Sequence, residues 1–86
     1  MATIEERIRE LGAKLLTRSE AAAAAGIGGT EEEDVLNTPG SELDRAYRQG
    51  VAETIKETKE RLIEAASMGN PVATDQLLRM ANSLLT

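Results

Sequence analysis

From Ser41 to Met68 the chain reads as one uninterrupted helix, and that length constrains the fold more than any other feature. At about 100° per residue, Leu43, Tyr47, Val51, Thr54, Ile55, Thr58, Leu62, Ala65 and Ala66 fall on one broad side. Glu42, Glu53, Glu57, Glu60 and Glu64 fall on a second side, and Arg45, Arg48, Lys56 and Lys59 on a third. At about 1.5 Å per residue the basic stripe runs roughly 21 Å. Pro39-Gly40 breaks the chain before this helix, Ser41 can cap it with Asp44 three residues on, and Gly69 supplies the stop. Glu57 and Arg61 add an i,i+4 pair.

A chain of 86 residues makes one small domain at most, and this one has one Tyr and no Phe or Trp. Its core must come from Leu, Ile, Val, Met and Ala, which suits helix-on-helix packing better than a sheet. Such a core is thin, and small domains without disulfides or metals often gain stability by oligomerising. With no Cys there is no disulfide framework or thiolate metal site, and with no His the commonest general base and metal ligand is missing. A net charge of −5 does not suggest bulk attraction to nucleic acid. The longest apolar run, Ala21 to Ala25, is too short to span a bilayer, and the N-terminus lacks the order of a signal peptide. The expected location is the cytoplasm.

Around the long helix the sequence places four shorter ones. Thr3 with Glu6 reads as a capping box, and Ile4, Ile8, Leu11 and Leu15 follow at helical spacing, which predicts a helix over Ile4 to Leu16. Glu5–Arg9 and Glu10–Lys14 are i,i+4 pairs on its outer side. Gly12 weakens it by about 1 kcal/mol unless another backbone passes close there. Thr17 and Glu20 open a second helix near Arg18, which Gly26 closes with Ile27 behind it. Thr30 and Glu33 predict a third capping box and a helix over Glu31 to Leu36. Asn70 caps and Pro71 starts a last helix to about Leu85, with Ala73, Leu77, Met80, Ala81 and Leu84 on one side. The short turn between the fourth and fifth helices predicts an antiparallel hairpin.

No convergent set of catalytic groups is readable: no Ser stands in a nucleophile elbow, and the Glu residues of the long helix lie along an exposed ridge. The expectation is that the chain is not an enzyme and has no cofactor or metal site. Glu31 to Asp34 crowd one helix start, where the helix dipole favours acids; four consecutive residues cannot converge on one ion from one face. The basic stripe is open to three readings. Arg45, Arg48, Lys56 and Lys59 are solvated surface, or meet the acidic face of a second copy, or contact phosphates.

Residues Leu16 to Leu36 resemble a helix-turn-helix: Ala22, Gly26 and Ile27 match its turn, and Val35 and Leu36 fall where the second helix packs on the first. Glu32 stands where that pattern has an apolar residue, and the would-be recognition helix carries four acids. The wider order, with Tyr47, Arg48 and Gly50 as a Tyr-Arg-x-Gly step and Gly69-Asn70 as a turn, resembles small phage and prophage proteins of the small-terminase type. That resemblance implies a homo-oligomeric ring that recognises viral double-stranded DNA and recruits the large packaging subunit. It assigns DNA contact to the helix-turn-helix and ring formation to the hairpin.

The expected fold is therefore all-α: a helix-turn-helix-like three-helix front over residues 1–38, then a long antiparallel hairpin over 39–86 that serves oligomerisation. The expected function is a non-enzymatic DNA-packaging component. The alternative is a small helical adaptor or regulator that binds a partner protein through its hairpin. Arg18, Arg45, Arg48, Lys56 and Lys59 are the candidates for nucleic-acid or subunit contact. Leu43, Tyr47, Val51, Ile55, Leu62, Leu77 and Met80 are the candidates for packing within and between subunits.

Overall fold

The computed structural model describes residues 2–86, and all regular structure in them is helical. Five helices follow one another: α1 (Ile4–Ala13), α2 (Arg18–Ala25), α3 (Glu31–Leu36), α4 (Glu42–Ser67) and α5 (Pro71–Leu85). The starts follow from side chains that accept the first free amide hydrogens. Thr17 and Glu20 make a complete capping box at α2. Thr3 accepts from the Glu6 amide at 3.1 Å, Ser41 from Asp44 at 3.1 Å, and Asn70 from Val72 at 3.0 Å and Ala73 at 3.1 Å. The box expected at Thr30 and Glu33 does not form. The Thr30 hydroxyl turns back and donates to the Ile27 carbonyl at 2.6 Å, and the Glu33 carboxylate accepts from the Gly29 amide at 3.2 Å.

Three of the helix ends share one closure. The amide five residues beyond a carbonyl of the last turn bonds back to it, and the preceding amide makes a shorter inner bond. This holds for Ile27 to Ala22 with Gly26 to Ala23, and for Asn70 to Ala65 with Gly69 to Ala66. It also holds for Leu16 to Leu11 with Leu15 to Gly12. The closure needs a left-handed residue, supplied by Gly26 at φ 78° and Gly69 at φ 90°, but at α1 by Leu15 at φ 60°. So α1 ends at Ala13, three residues before the sequence-based end at Leu16. No glycine marks the stop, and a leucine carries a conformation that costs a side-chain-bearing residue about 1–2 kcal/mol.

The chain divides into two compact units, one up to Thr54 and one from Ile55 to Thr86. The division falls inside α4, so the break expected between residues 38 and 39 lies within the first unit. The physical reason is packing between α1 and the first turns of α4. The two main chains run so close that a Cβ on Gly12 would sit 2.5 Å from the Tyr47 carbonyl oxygen. A Cβ on Gly50 would overlap the Arg9 carbonyl oxygen and come within 2.8 Å of the Ala13 nitrogen. The Thr54 hydroxyl donates to the Ala13 carbonyl, the last of α1. Around this crossing lie Ile8, Ala22, Ala25, Ile27, Leu36 and Leu43, a core of small and branched side chains. Ala21, Ala22 and Ala25 are buried while Ala23 and Ala24 face water, so the alanine run is one packed face of a short helix.

The second unit holds far less. Among its described residues only Ala73 is buried, with Leu62, Ala65, Ala66, Leu77 and Met80 half-buried. No described helix is long and apolar enough to cross a membrane.

The crossing makes a direct prediction. Gly50→Ala forces a methyl into main-chain atoms that cannot move aside, and should cost about 3 kcal/mol or more in urea unfolding. Gln49→Ala, on the exposed side next to it, should stay within about 0.5 kcal/mol.

Candidate functional site

The most organised polar site in the chain is built around Asp44, which is only 3% exposed. Its position follows from the Pro39-Gly40 turn, where the Ser41 amide bonds the Thr38 carbonyl at 3.1 Å and Gly40 takes φ 81°. That turn aims the Gly40 amide at Asp44 Oδ2, 2.9 Å away. Asp44 Oδ1 accepts from Arg18 Nη2 at 2.7 Å and from Arg48 Nε at 3.1 Å. Arg18 spends its other terminal nitrogen on the Leu36 carbonyl at 2.7 Å, closing the C-terminal end of α3. The same guanidinium lies 4.6 Å above the Tyr47 ring, and the Tyr47 hydroxyl donates to the Leu16 carbonyl at 2.8 Å.

One carboxylate therefore ties the start of α2, the end of α3 and the start of α4 together, with Tyr47 bracing the α1–α2 connection. A buried charge is tolerable only when its lone pairs are met, and here both oxygens are. The Gly40 hydrogen bond, then those of Arg18 and Arg48 and the Arg48 charge, outweigh burial and hold the carboxyl at about 2, down from 3.8. Nearby, the first turns of α1 and α4 bring two acids together. The hydrogen bond that a protonated Glu5 donates to the Glu42 carboxylate, with the charge of Glu42, raises the Glu5 pKa above its ordinary value.

This geometry sorts the candidate contact residues. Arg18 and Arg48 point into the chain's own Asp44, so their hydrogen-bonding capacity is largely or partly used internally. Arg45 is exposed and makes no ion pair among the described residues. Lys56 forms a loose 3.9 Å pair with Glu60, and Lys59 borders a groove described below. The stripe is also divided, with Arg45 and Arg48 in the first unit and Lys56 and Lys59 in the second. Of the packing candidates, Leu43 is buried and Tyr47 half-buried in the first unit, and Val51 is half-buried. In the second unit Ile55 is exposed, and Leu62, Leu77 and Met80 are half-buried.

The Tyr-Arg-x-Gly step thus has an internal account: Tyr47 braces a loop and stacks on Arg18, Arg48 meets Asp44, and Gly50 makes the crossing. Asp44 as a buried acceptor and Thr54 as a latch were not legible from spacing. Gly12 and Gly50, each inside a helix at a cost, were the available signal for the crossing.

The second site is an open apolar groove of about 370 Å³ between residues of α4 and α5 in the second unit. Lys59, Ile63, Leu77, Met80, Ala81 and Leu84 border it. Ile63 is 57% exposed there and Leu84 83%. Its lining offers one amine, one hydroxyl (Ser83), the Met80 thioether and otherwise hydrocarbon, which suits packing. No family model matches the chain, and no curated protein or solved structure is significantly similar to it.

The Asp44 site makes stability depend on acid. The unfolded carboxyl takes its proton near 3.8 and the folded one only near 2. Its stabilising contribution is therefore full above about pH 4 and lost as the pH falls through about 2. In urea unfolding at stepped pH, wild type should lose stability over that window. Asp44→Asn should be less stable at pH 7 and should lose that part of the acid dependence.

Proposed function

We propose that this chain is a non-enzymatic assembly protein that works as a homo-oligomer, in the manner of a viral small-terminase-like DNA-packaging component. In this reading the first unit is a helix-turn-helix-like front and the second an antiparallel helical hairpin through which copies associate. The observation that carries the reading is the incompleteness of the second unit. It has one buried residue, Ala73, while Ile55, Ile63, Met68, Val72, Leu78, Leu84 and Leu85 are exposed. At roughly 25 cal/mol per Å², so little burial cannot offset the ordering of that many residues, and a partner surface is the natural remedy.

The observations favour the assembly half of this function over direct base reading. α3 opens with four consecutive acids, which a negatively charged groove repels. Arg18, at the entry to the helix-turn-helix-like region, is committed to Asp44 and Leu36. We therefore assign double-stranded DNA and the large packaging subunit as partners of the assembled oligomer. The acid-rich front also favours a second reading, a small helical adaptor or regulator that binds a partner protein through its C-terminal helices.

Native mass measured across concentration and salt separates the two. The packaging reading expects a discrete multimer well above the monomer mass of 9.2 kDa, with salt-sensitive DNA retention. A monomer at every concentration would rule out assembly as an intrinsic property and leave the adaptor.

A further inference from the structure

The charge of the chain is unevenly placed. The second unit, Ile55 to Thr86, has four Lys or Arg and four Asp or Glu, so the whole net charge of −5 resides in the first. Two copies brought together through their first units repel, whereas two second units are neutral and apolar. That selects the surface, and the order of charges along α4 selects the orientation. At about 100° per residue, Lys56, Lys59, Glu60 and Glu64 lie within about 100° of the groove residue Ile63, while Glu57 and Arg61 lie beyond. Along this face the helix is basic first and acidic after. A parallel apposition stacks like on like, and an antiparallel one sets Lys56 and Lys59 of each copy against Glu60 and Glu64 of the other.

We propose that the groove of the second unit is covered by the same face of a second copy, packed antiparallel about a two-fold axis. Ile63, Leu77, Met80 and Leu84 supply its apolar contacts, and two Lys-to-Glu clusters related by the axis lie alongside them. This rests on the oligomeric reading above and adds its contact and symmetry. A two-fold contact presents the same patch from both copies and uses it up, so assemblies built on it contain an even number of chains. These charges act chiefly on orientation and on rejection of the parallel arrangement.

The test uses the full-length chain, with light-scattering mass as the readout and helical circular dichroism as the folding control. All four positions are exposed, so the variants should keep their helix content. Lys56→Glu/Lys59→Glu and Glu60→Lys/Glu64→Lys should each raise the dissociation constant at least tenfold. An equimolar mixture of the two should associate again. The quadruple variant carrying all four changes reverses the polarity of the face and should self-associate like wild type. If wild type associates and the double variants do so equally well, this interface is wrong while the oligomeric reading stands. If wild type is monomeric at all concentrations, both fail.

Discussion

The carboxylate of Asp44 is the interaction on which the first unit depends. Three of the chain's helices end or begin at groups that it reaches directly or through Arg18. Without it, the guanidinium of Arg18 would be left beside an apolar core and the end of α3 would lose its closing partner. Burying a charge is costly in general, and the arrangement holds because every oxygen lone pair in reach of a donor is used. Turn, cap and ion pair converge on one residue: the Pro39-Gly40 turn delivers an amide, Ser41 caps the helix, and Arg18 and Arg48 supply the charge.

The close approach of α1 and α4 is the second constraint. Two glycines at a helix crossing replace the side-chain bulk that would normally hold helices 8–10 Å apart. They let a chain with a single aromatic residue build a dense core from alanine and short branched side chains. The Thr54 hydroxyl and the Tyr47 hydroxyl then meet carbonyls at and just beyond the end of α1, where the helix can no longer satisfy its own. The first unit is thus bound by specific main-chain-to-side-chain contacts more than by apolar volume.

Much of this was written in local sequence. The bounds of α5 follow from Asn70 and Pro71, and the extent of α4 follows from Ser41 and Gly69; α3 spans the expected residues without the expected cap. Where reading failed, the cause is physical. α1 stops early because Leu15 takes a glycine's conformation under a closure that no residue type announces. The Thr30 hydroxyl donates to the Ile27 carbonyl, and the Glu33 amide bonds the Thr30 carbonyl instead of its side chain. The Arg18–Asp44 pair spans 26 residues of sequence, so no helical spacing reveals it. The basic stripe looked continuous on a wheel, yet Arg48 belongs to an internal ion pair, and of the four only Lys59 borders the groove. Periodicity reports faces; it does not report which charges are already committed.

The two units therefore differ in kind: one closes on itself, the other leaves its apolar side chains uncovered. Hydrogen exchange of the full-length chain across concentration tests that contrast most directly. The account predicts strong, concentration-independent protection within residues 4–54. It predicts protection within residues 55–86 that rises as copies associate. Equal protection of both regions in a dilute monomer would contradict it.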